Sequence, residues 1–280
     1  MSNLFSGLEQ FGLGKLSEMD IYEEEAAKKA KADSAANEVH EVKETDLLFD
    51  KTHVCPVCDN EFKSKTIRTG KVKLVSADTD LRPRYQEVDS LKYDVTVCPR
   101  CGYASVNRFF NAITSPQAKL VREQISTNFK GLKEEGDIVS YDDAIAKHKL
   151  ALVNTIVKRG KTSERAYTCL KLAWLLRGKA ETLPENTENI EQVKAELAKE
   201  ELELITNSFE GFSNAFSKEM FPMCGMDEIT VTYLVAELAR RAGNHDESGR
   251  WVSRVLTSRN ANERIKEKAR EIKALLNSEE

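Results

Sequence analysis

Two copies of one short motif, Cys55-Pro56-Val57-Cys58 and Cys98-Pro99-Arg100-Cys101, carry the clearest chemistry in the chain. Together the two turns supply four soft thiolate ligands, the set that a tetrahedral structural zinc ion prefers. One structural zinc is therefore expected on Cys55, Cys58, Cys98 and Cys101. After each second cysteine stands a residue suited to positive φ, Gly102 in one case and the Asp59-Asn60 pair near the other. A turn that directs backbone N–H groups at sulfur needs such a residue. The 39 residues between Cys58 and Cys98 exceed the usual spacing of about 15 to 20. Doubling a loop costs only about 0.6 kcal/mol of closure entropy, against an apparent zinc-binding energy on the order of 10 to 16 kcal/mol. A redox dithiol would be one reactive pair at a helix N-terminus after a strand; two matching pairs read instead as one closed site with no open coordination position. Iron is the other metal this ligand set admits. His53 could replace a ligand in principle, but four cysteines complete the shell, and it reads as a surface histidine.

The segment between the cysteine pairs is basic. Lys63, Lys65, Arg68, Lys71, Lys73, Arg82 and Arg84 cluster there, with Tyr85 and Tyr93 nearby. Alternation puts Lys63 and Lys65 on one face of a strand and Lys71 with Lys73 on one face of its neighbour. That pattern suits either a phosphate-binding surface or a solvated strand face whose charge is offset by the zinc tetrathiolate and by seven acids in the same segment.

Other chemistry-bearing residues point to structure. Cys169 lies in an apolar helical stripe and reads as core. Cys224, in Phe221-Pro222-Met223-Cys224-Gly225-Met226, reads as part of a loop packed under helices. His148 and His245 have no carboxylate or cysteine at motif spacing. The Gly12-Leu13-Gly14-Lys15-Leu16-Ser17 stretch fails as a phosphate loop, because Glu9 and Leu16 stand where that motif needs Gly and Ser or Thr. With no nucleophile elbow, zincin helix or dinucleotide fingerprint either, the chain is expected not to be an enzyme.

The elements that must position these residues follow from periodicity and punctuation. Lys63 to Thr69, Lys71 to Ser76 and Leu91 to Val97 read as short antiparallel strands. Ser115 followed by Pro116 opens a helix to about Phe129. Ser140 with Asp143 forms a capping box for a helix to Lys158, stopped by Gly160. Thr162 caps the next helix, with Ala166, Cys169, Leu170, Ala173 and Trp174 on its apolar face. A long helix carries Ile190 to Phe216, and three more run over about 228–242, 245–257 and 261–276. The fold class is mainly α with a small β zinc-ribbon-like module. Three parts are expected: a flexible acidic tail over 1–46 with a short apolar motif at Leu4, Phe5, Leu8 and Phe11, the zinc module over 47–112, and an α-helical domain over 113–280.

Composition agrees. Hydrophobic residues make up 40% and charged residues 31% of 280 positions, a mix that suits a helical globular protein and excludes collagen-like or wholly disordered chains. Residues 1–50 hold 12 acids against 5 basic residues, whereas 51–110 hold 7 against 11. No apolar run approaches the roughly 18 residues needed to cross a bilayer, and the N-terminus lacks a basic start followed by an apolar core. A cytoplasmic location without membrane attachment is expected, and paired cysteines in a reducing compartment favour metal over disulfides.

Around Gly243 the stretch YLVAELARRAGNHDESGRWVSRVL looks like one tetratricopeptide (TPR) unit, with Thr232 where the pattern has a large aromatic. A weaker echo aligns Gly160 and Glu164 with Gly243 and Glu247, so two diverged TPR-like hairpins are expected. As a whole the chain resembles a bacterial family known as domain of unknown function 2225, through CPVCDNEFKSKTIRTGK, DTDLRPRY, LKYDVTVCPRCGYAS and LKLAWLLRG. The resemblance implies a cytoplasmic bacterial protein with a zinc-ribbon-like N-terminal part and TPR-like C-terminal helices, and it implies no activity. Two functions follow: a protein-interaction adaptor presenting the helices to a protein or peptide, or a nucleic-acid-associated factor acting through the basic insert.

Overall fold

Among residues 42–132 and 136–279, which the computed structural model describes, six short strands precede seven α-helices. The apolar motif at Leu4 to Phe11 and the tail as far as Glu41 lie outside the described residues. Residues 44–46, grouped with that tail by composition, form a one-turn 3-10 helix together with Leu47. Glu44 there accepts a hydrogen bond from the Tyr93 hydroxyl at 2.7 Å and pairs with Lys92 at 2.6 Å.

Strands β1 (Leu48–Val54) and β2 (Glu61–Ile67) form an antiparallel hairpin, with Leu48 opposite Ile67 and Val54 opposite Glu61. The expected partner of β2 was the Lys71 to Ser76 stretch. Instead Lys71 and Lys73 lie in a connection to β3 (Leu74–Ala77), which pairs with β4 (Pro83–Tyr85). Burial explains the choice. Leu48 and Ile67 are both buried across the β1–β2 hairpin, whereas β3 is exposed along its whole length and offers β2 no apolar face. The stretch expected as a strand from Leu91 begins as a 3-10 turn capped by Asp89. Only then does β5 (Val95–Val97) pair with β6 (Ala104–Val106).

Helix α1 (Ser115–Val121) starts one residue before Pro116 but takes Thr114 as its N-cap, boxed with Gln117. It passes into a π-helical turn over Arg122–Ser126 rather than continuing to Phe129. Helix α2 (Tyr141–Val157) begins where expected, with the Ser140 hydroxyl accepting the Asp143 N–H at 3.1 Å. Then come α3 (Thr162–Glu181), α4 (Ile190–Phe216), α5 (Glu228–Arg241), α6 (His245–Thr257) and α7 (Glu263–Glu279).

Helix α3 lies at the centre. Leu170, Leu172, Ala173, Leu175 and Leu176 are all essentially inaccessible because α2 and α4 cover it. Burying each such leucine contributes about 1.5–3 kcal/mol. Leu47, Leu48, Ile67, Val88, Leu91 and Tyr93 join the same apolar cluster, so strands and helices share one core. Gly178 makes that contact close: a Cβ there would lie 2.7 Å from the Arg82 guanidinium and 2.9 Å from the Tyr141 ring. Helices α5 and α6 form a hairpin around Gly243 at φ 77°, where the Ser248 hydroxyl donates to the Ala236 carbonyl at 2.8 Å. The α2–α3 and α5–α6 hairpins are separated by α4, which packs on both α3 and α5.

Candidate metal centre

The β1–β2 and β5–β6 hairpins end in two turns of the same construction. In the first, the Cys55 N–H donates to the Asn60 carbonyl and the Asp59 N–H to the Cys55 carbonyl, both at 2.9 Å. In the second, Cys98 N–H donates to Tyr103 at 2.8 Å and Gly102 N–H to Cys98 at 3.0 Å. Asp59 at φ 56° and Gly102 at φ 73° hold the equivalent left-handed position, as the motif spacing predicts. Each turn folds its backbone N–H groups under its sulfur; Val57 N–H lies 3.4 Å from the Cys55 Sγ.

The four sulfurs of Cys55, Cys58, Cys98 and Cys101 all lie within 4.8 Å of one another. The Cys55–Cys101 and Cys58–Cys98 separations are 3.6 Å, far longer than a disulfide, and all six cysteines are free thiols. Tetrahedral zinc with bonds of about 2.3 Å would set its sulfurs about 3.8 Å apart, so the donor set fits one ion.

Electrostatics point the same way. The hydrogen bond from Cys101, opposed by burial and aided by backbone N–H groups, lowers the Cys55 thiol to about 5. Burial raises Cys98 to about 11, and the bond to Cys55 together with burial raises Cys101 strongly. Four thiols this close cannot all ionise against their mutual repulsion, and a divalent cation removes that penalty.

Residues remote in sequence hold the turns. Arg122 Nη1, in the π-helical turn, donates to the Val57 carbonyl at 2.8 Å. Asn154 of α2 donates to the Gly102 carbonyl at 3.1 Å. A Cβ at Gly102 would sit 2.6 Å from the Phe129 ring. Sequence reasoning missed these three supports, since nothing local marks a partner about 30 to 65 residues away. His53 stands outside the group of four sulfurs: its ring stacks on Phe62 at 5.6 Å and its Nε2 meets the Ser64 hydroxyl at 3.0 Å. It is half-buried in the aromatic cluster behind the centre rather than a plain surface residue.

The basic insert divides into two populations. Arg82 is 3% exposed and pairs with Asp89 at 3.4 Å and Glu181 at 3.0 Å. Arg84 pairs with Asp78 and Glu181, at 2.7 and 2.5 Å. Both arginines of the DTDLRPRY stretch thus face α3 rather than a ligand. Lys65 pairs with Asp50 at 3.0 Å, and Arg68 donates to the Leu48 carbonyl. Lys63, Lys71 and Lys73 are exposed. Cys169 is buried in α3, and Cys224 is buried with its thiol on the Ser163 carbonyl at 3.3 Å.

Comparison with known proteins adds lineage rather than activity. Residues 48–276 match the family described as "Uncharacterized protein conserved in bacteria (DUF2225)". An uncharacterized protein of Borreliella burgdorferi is 25% identical over 137 residues, covering 43% of this chain and 49% of that relative. The match thus spans about half of the relative's length. No solved structure matches the chain. No helix among the described residues is long and apolar enough to cross a membrane.

Proposed function

Given that the chain belongs to the bacterial family DUF2225, whose description assigns no activity, we propose from its own residues that it is a cytoplasmic interaction adaptor. In this reading a structural zinc ion on Cys55, Cys58, Cys98 and Cys101 stiffens the strand module. The helices, acting as a TPR-like scaffold, present a groove to a protein or peptide partner, and the chain performs no catalysis.

The observation that carries the reading is a groove of about 580 Å³ bordered by α2, α3 and α4. Its apolar lining includes Leu152, Ile156, Ala166 and Leu204, and Ile156 is 56% exposed. A β-branched residue so exposed beside a concave apolar wall is a site where a partner's side chain would gain burial. Lys149 and Glu200, paired at 2.6 Å across α2 and α4, supply a polar rim. Zinc is favoured over iron because a closed set of four thiolates with no open position is the usual shell of a structural zinc ion, and no redox role is proposed for the site.

Affinity capture from the native cytoplasm tests the adaptor reading, with wild-type protein and Ile156→Glu compared and both protein and nucleic acid analysed. A protein retained by wild type and lost from the variant supports it. Recovery of nucleic acid alone, indifferent to Ile156→Glu, overturns it.

A further inference from the structure

We propose that the cleft between β2 and β5, a surface separate from the helical groove, takes an acidic extended peptide as an added strand on the free edge of β2.

Hairpin register carries the first part of the argument. Cys55 N–H bonds to Asn60, and Arg68 N–H bonds to Leu47. In the alternating pattern of an antiparallel ladder, this turns the backbones of Phe62 and Ser64 toward β1 and those of Lys63 and Lys65 away from it. In the other hairpin, the bonds from Cys98 to Tyr103 and from Asn107 to Asp94 turn Thr96 toward β6 and Val95 with Val97 away. Among the described residues each sheet has two strands, and both of these edges are unpaired there. The two edges line one cleft of about 290 Å³. An unpaired edge is a template for another chain, and adding a peptide strand to such an edge is a recurrent mode of recognition.

The side chains define the peptide. Lys63, Lys65, Lys92 and Lys147 line the cleft, and no carboxylate does so among the described residues. Lys65 and Lys92 are partly offset by Asp50 and Glu44, which lie outside the lining, and Lys147 is itself engaged, so the charge offered to a ligand is that of Lys63, which has no ion pair among the described residues, and of its neighbour Lys65. A strand added beside β2 would place alternate side chains on the Lys63–Lys65 face, where carboxylates gain cross-strand pairing. Its intervening residues would turn to the Phe62 face. The fitting ligand therefore alternates acidic with small apolar residues. Phe62 and Tyr93 are 9% and 5% exposed, so the aromatic residues here are buried rather than presented as platforms for stacking bases, which favours peptide over nucleic acid.

Fluorescence anisotropy of labelled probes on the full, metal-loaded chain tests the proposal. The probes are a decapeptide alternating glutamate and valine, the same peptide with central prolines, and a single-stranded DNA ten nucleotides long. The expected result is saturable binding of the alternating peptide, weakened about tenfold or more by the prolines, which remove strand hydrogen bonds. The protein variant Lys63→Glu with Lys65→Glu should weaken it similarly while keeping its metal content and helical circular dichroism. Ile156→Glu should leave it unchanged. Equal binding of the two peptides, or failure of the alternating peptide to bind even at low salt, overturns the proposal. So does DNA that binds more tightly and depends on the same two lysines.

Discussion

Arg177 of α3 grips both carboxylate oxygens of Asp80, at 3.2 and 2.6 Å, across 97 residues of sequence. Asp80 is completely buried and Arg177 reaches Asp78 and Glu201 as well. Behind them Arg241 of α5 approaches Asp80 at 3.7 Å, and Tyr233 donates to the Thr79 carbonyl at 2.6 Å. The DTDLRPRY stretch is thus a charged bolt fastening the β3–β4 hairpin to three helices.

The first prediction concerns that bolt. Asp80→Asn removes one of three carboxylates around the Arg177 guanidinium, and because Asp78 and Glu201 remain it should cost about 1–3 kcal/mol in urea unfolding at pH 7, less than an unpaired buried charge would. Burial alone would raise the Asp80 carboxyl, but the Arg177 hydrogen bond and the charges of Arg177 and Arg241 hold it below its ordinary value of 3.8. A depressed carboxylate stabilises the fold above its unfolded pKa and loses that contribution as pH falls through the lower folded value. The gap between wild type and variant should therefore narrow only below about pH 4. A gap unchanged down to pH 2, or absent at pH 7, would contradict the bolt.

His148 supplies a second pH effect of separate origin. Full burial, partly opposed by its bond to the Ala144 carbonyl, lowers the imidazole from 6.5 to about 4. Its Nδ1 lies 2.8 Å from that oxygen and therefore donates to it. The folded state keeps it neutral while the unfolded chain protonates, so stability is complete above pH 6.5 and falls toward pH 4, by about 3 kcal/mol in all. His148→Phe should flatten this slope in denaturant titrations at each pH, because both proteins carry the same cysteines. Parallel slopes for the two proteins would rule the mechanism out.

Metal content is the third test. Protein purified without added metal should carry about one equivalent of zinc, and Cys98→Ser should lose it. Chelation should expose the 47–112 segment to protease before α3 to α7, since the four thiols repel one another without the ion. Metal-free protein with an equally protected segment would sink the assignment.

The fourth prediction isolates one backbone position. Gly102→Ala faces both φ 73° and a 2.6 Å approach to the Phe129 ring. It should lower stability by about 1–3 kcal/mol and weaken metal retention against a chelator. Adding Phe129→Ala relieves the contact but not the backbone strain, so it should restore only part of the loss. Complete rescue would show that φ at Gly102 costs nothing.

How far the fold and the centre could be read ahead depended on the range of the interaction involved. The capping of α2 by Ser140 and the turn at Gly243 are local events, and the residues that produce them are neighbours in the chain. The start of α1 slipped by one residue because Thr114 and Ser115 are both competent caps, and only Gln117 completes the box with Thr114. The partner of β2 was misassigned because strand propensity does not say which strand has a buried face to offer.

By itself the amino-acid sequence determined which four cysteines gather: CPxC spacing brings two sulfurs into one turn, and the residue at the following position, Asp59 or Gly102, accepts the left-handed φ that closes it. It also determined a mainly helical chain with small strands, because periodicity and caps act within a few residues. Only the tertiary structure decided that Arg82 and Arg84 are held in ion pairs to Glu181, that Asn154 and Arg122 brace the two cysteine turns, and that β2 and β5 leave free edges on one cleft. Each of these joins groups tens of residues apart. An arginine in the sequence carries the same charge whether water or a buried carboxylate will meet it, and packing alone selects between them.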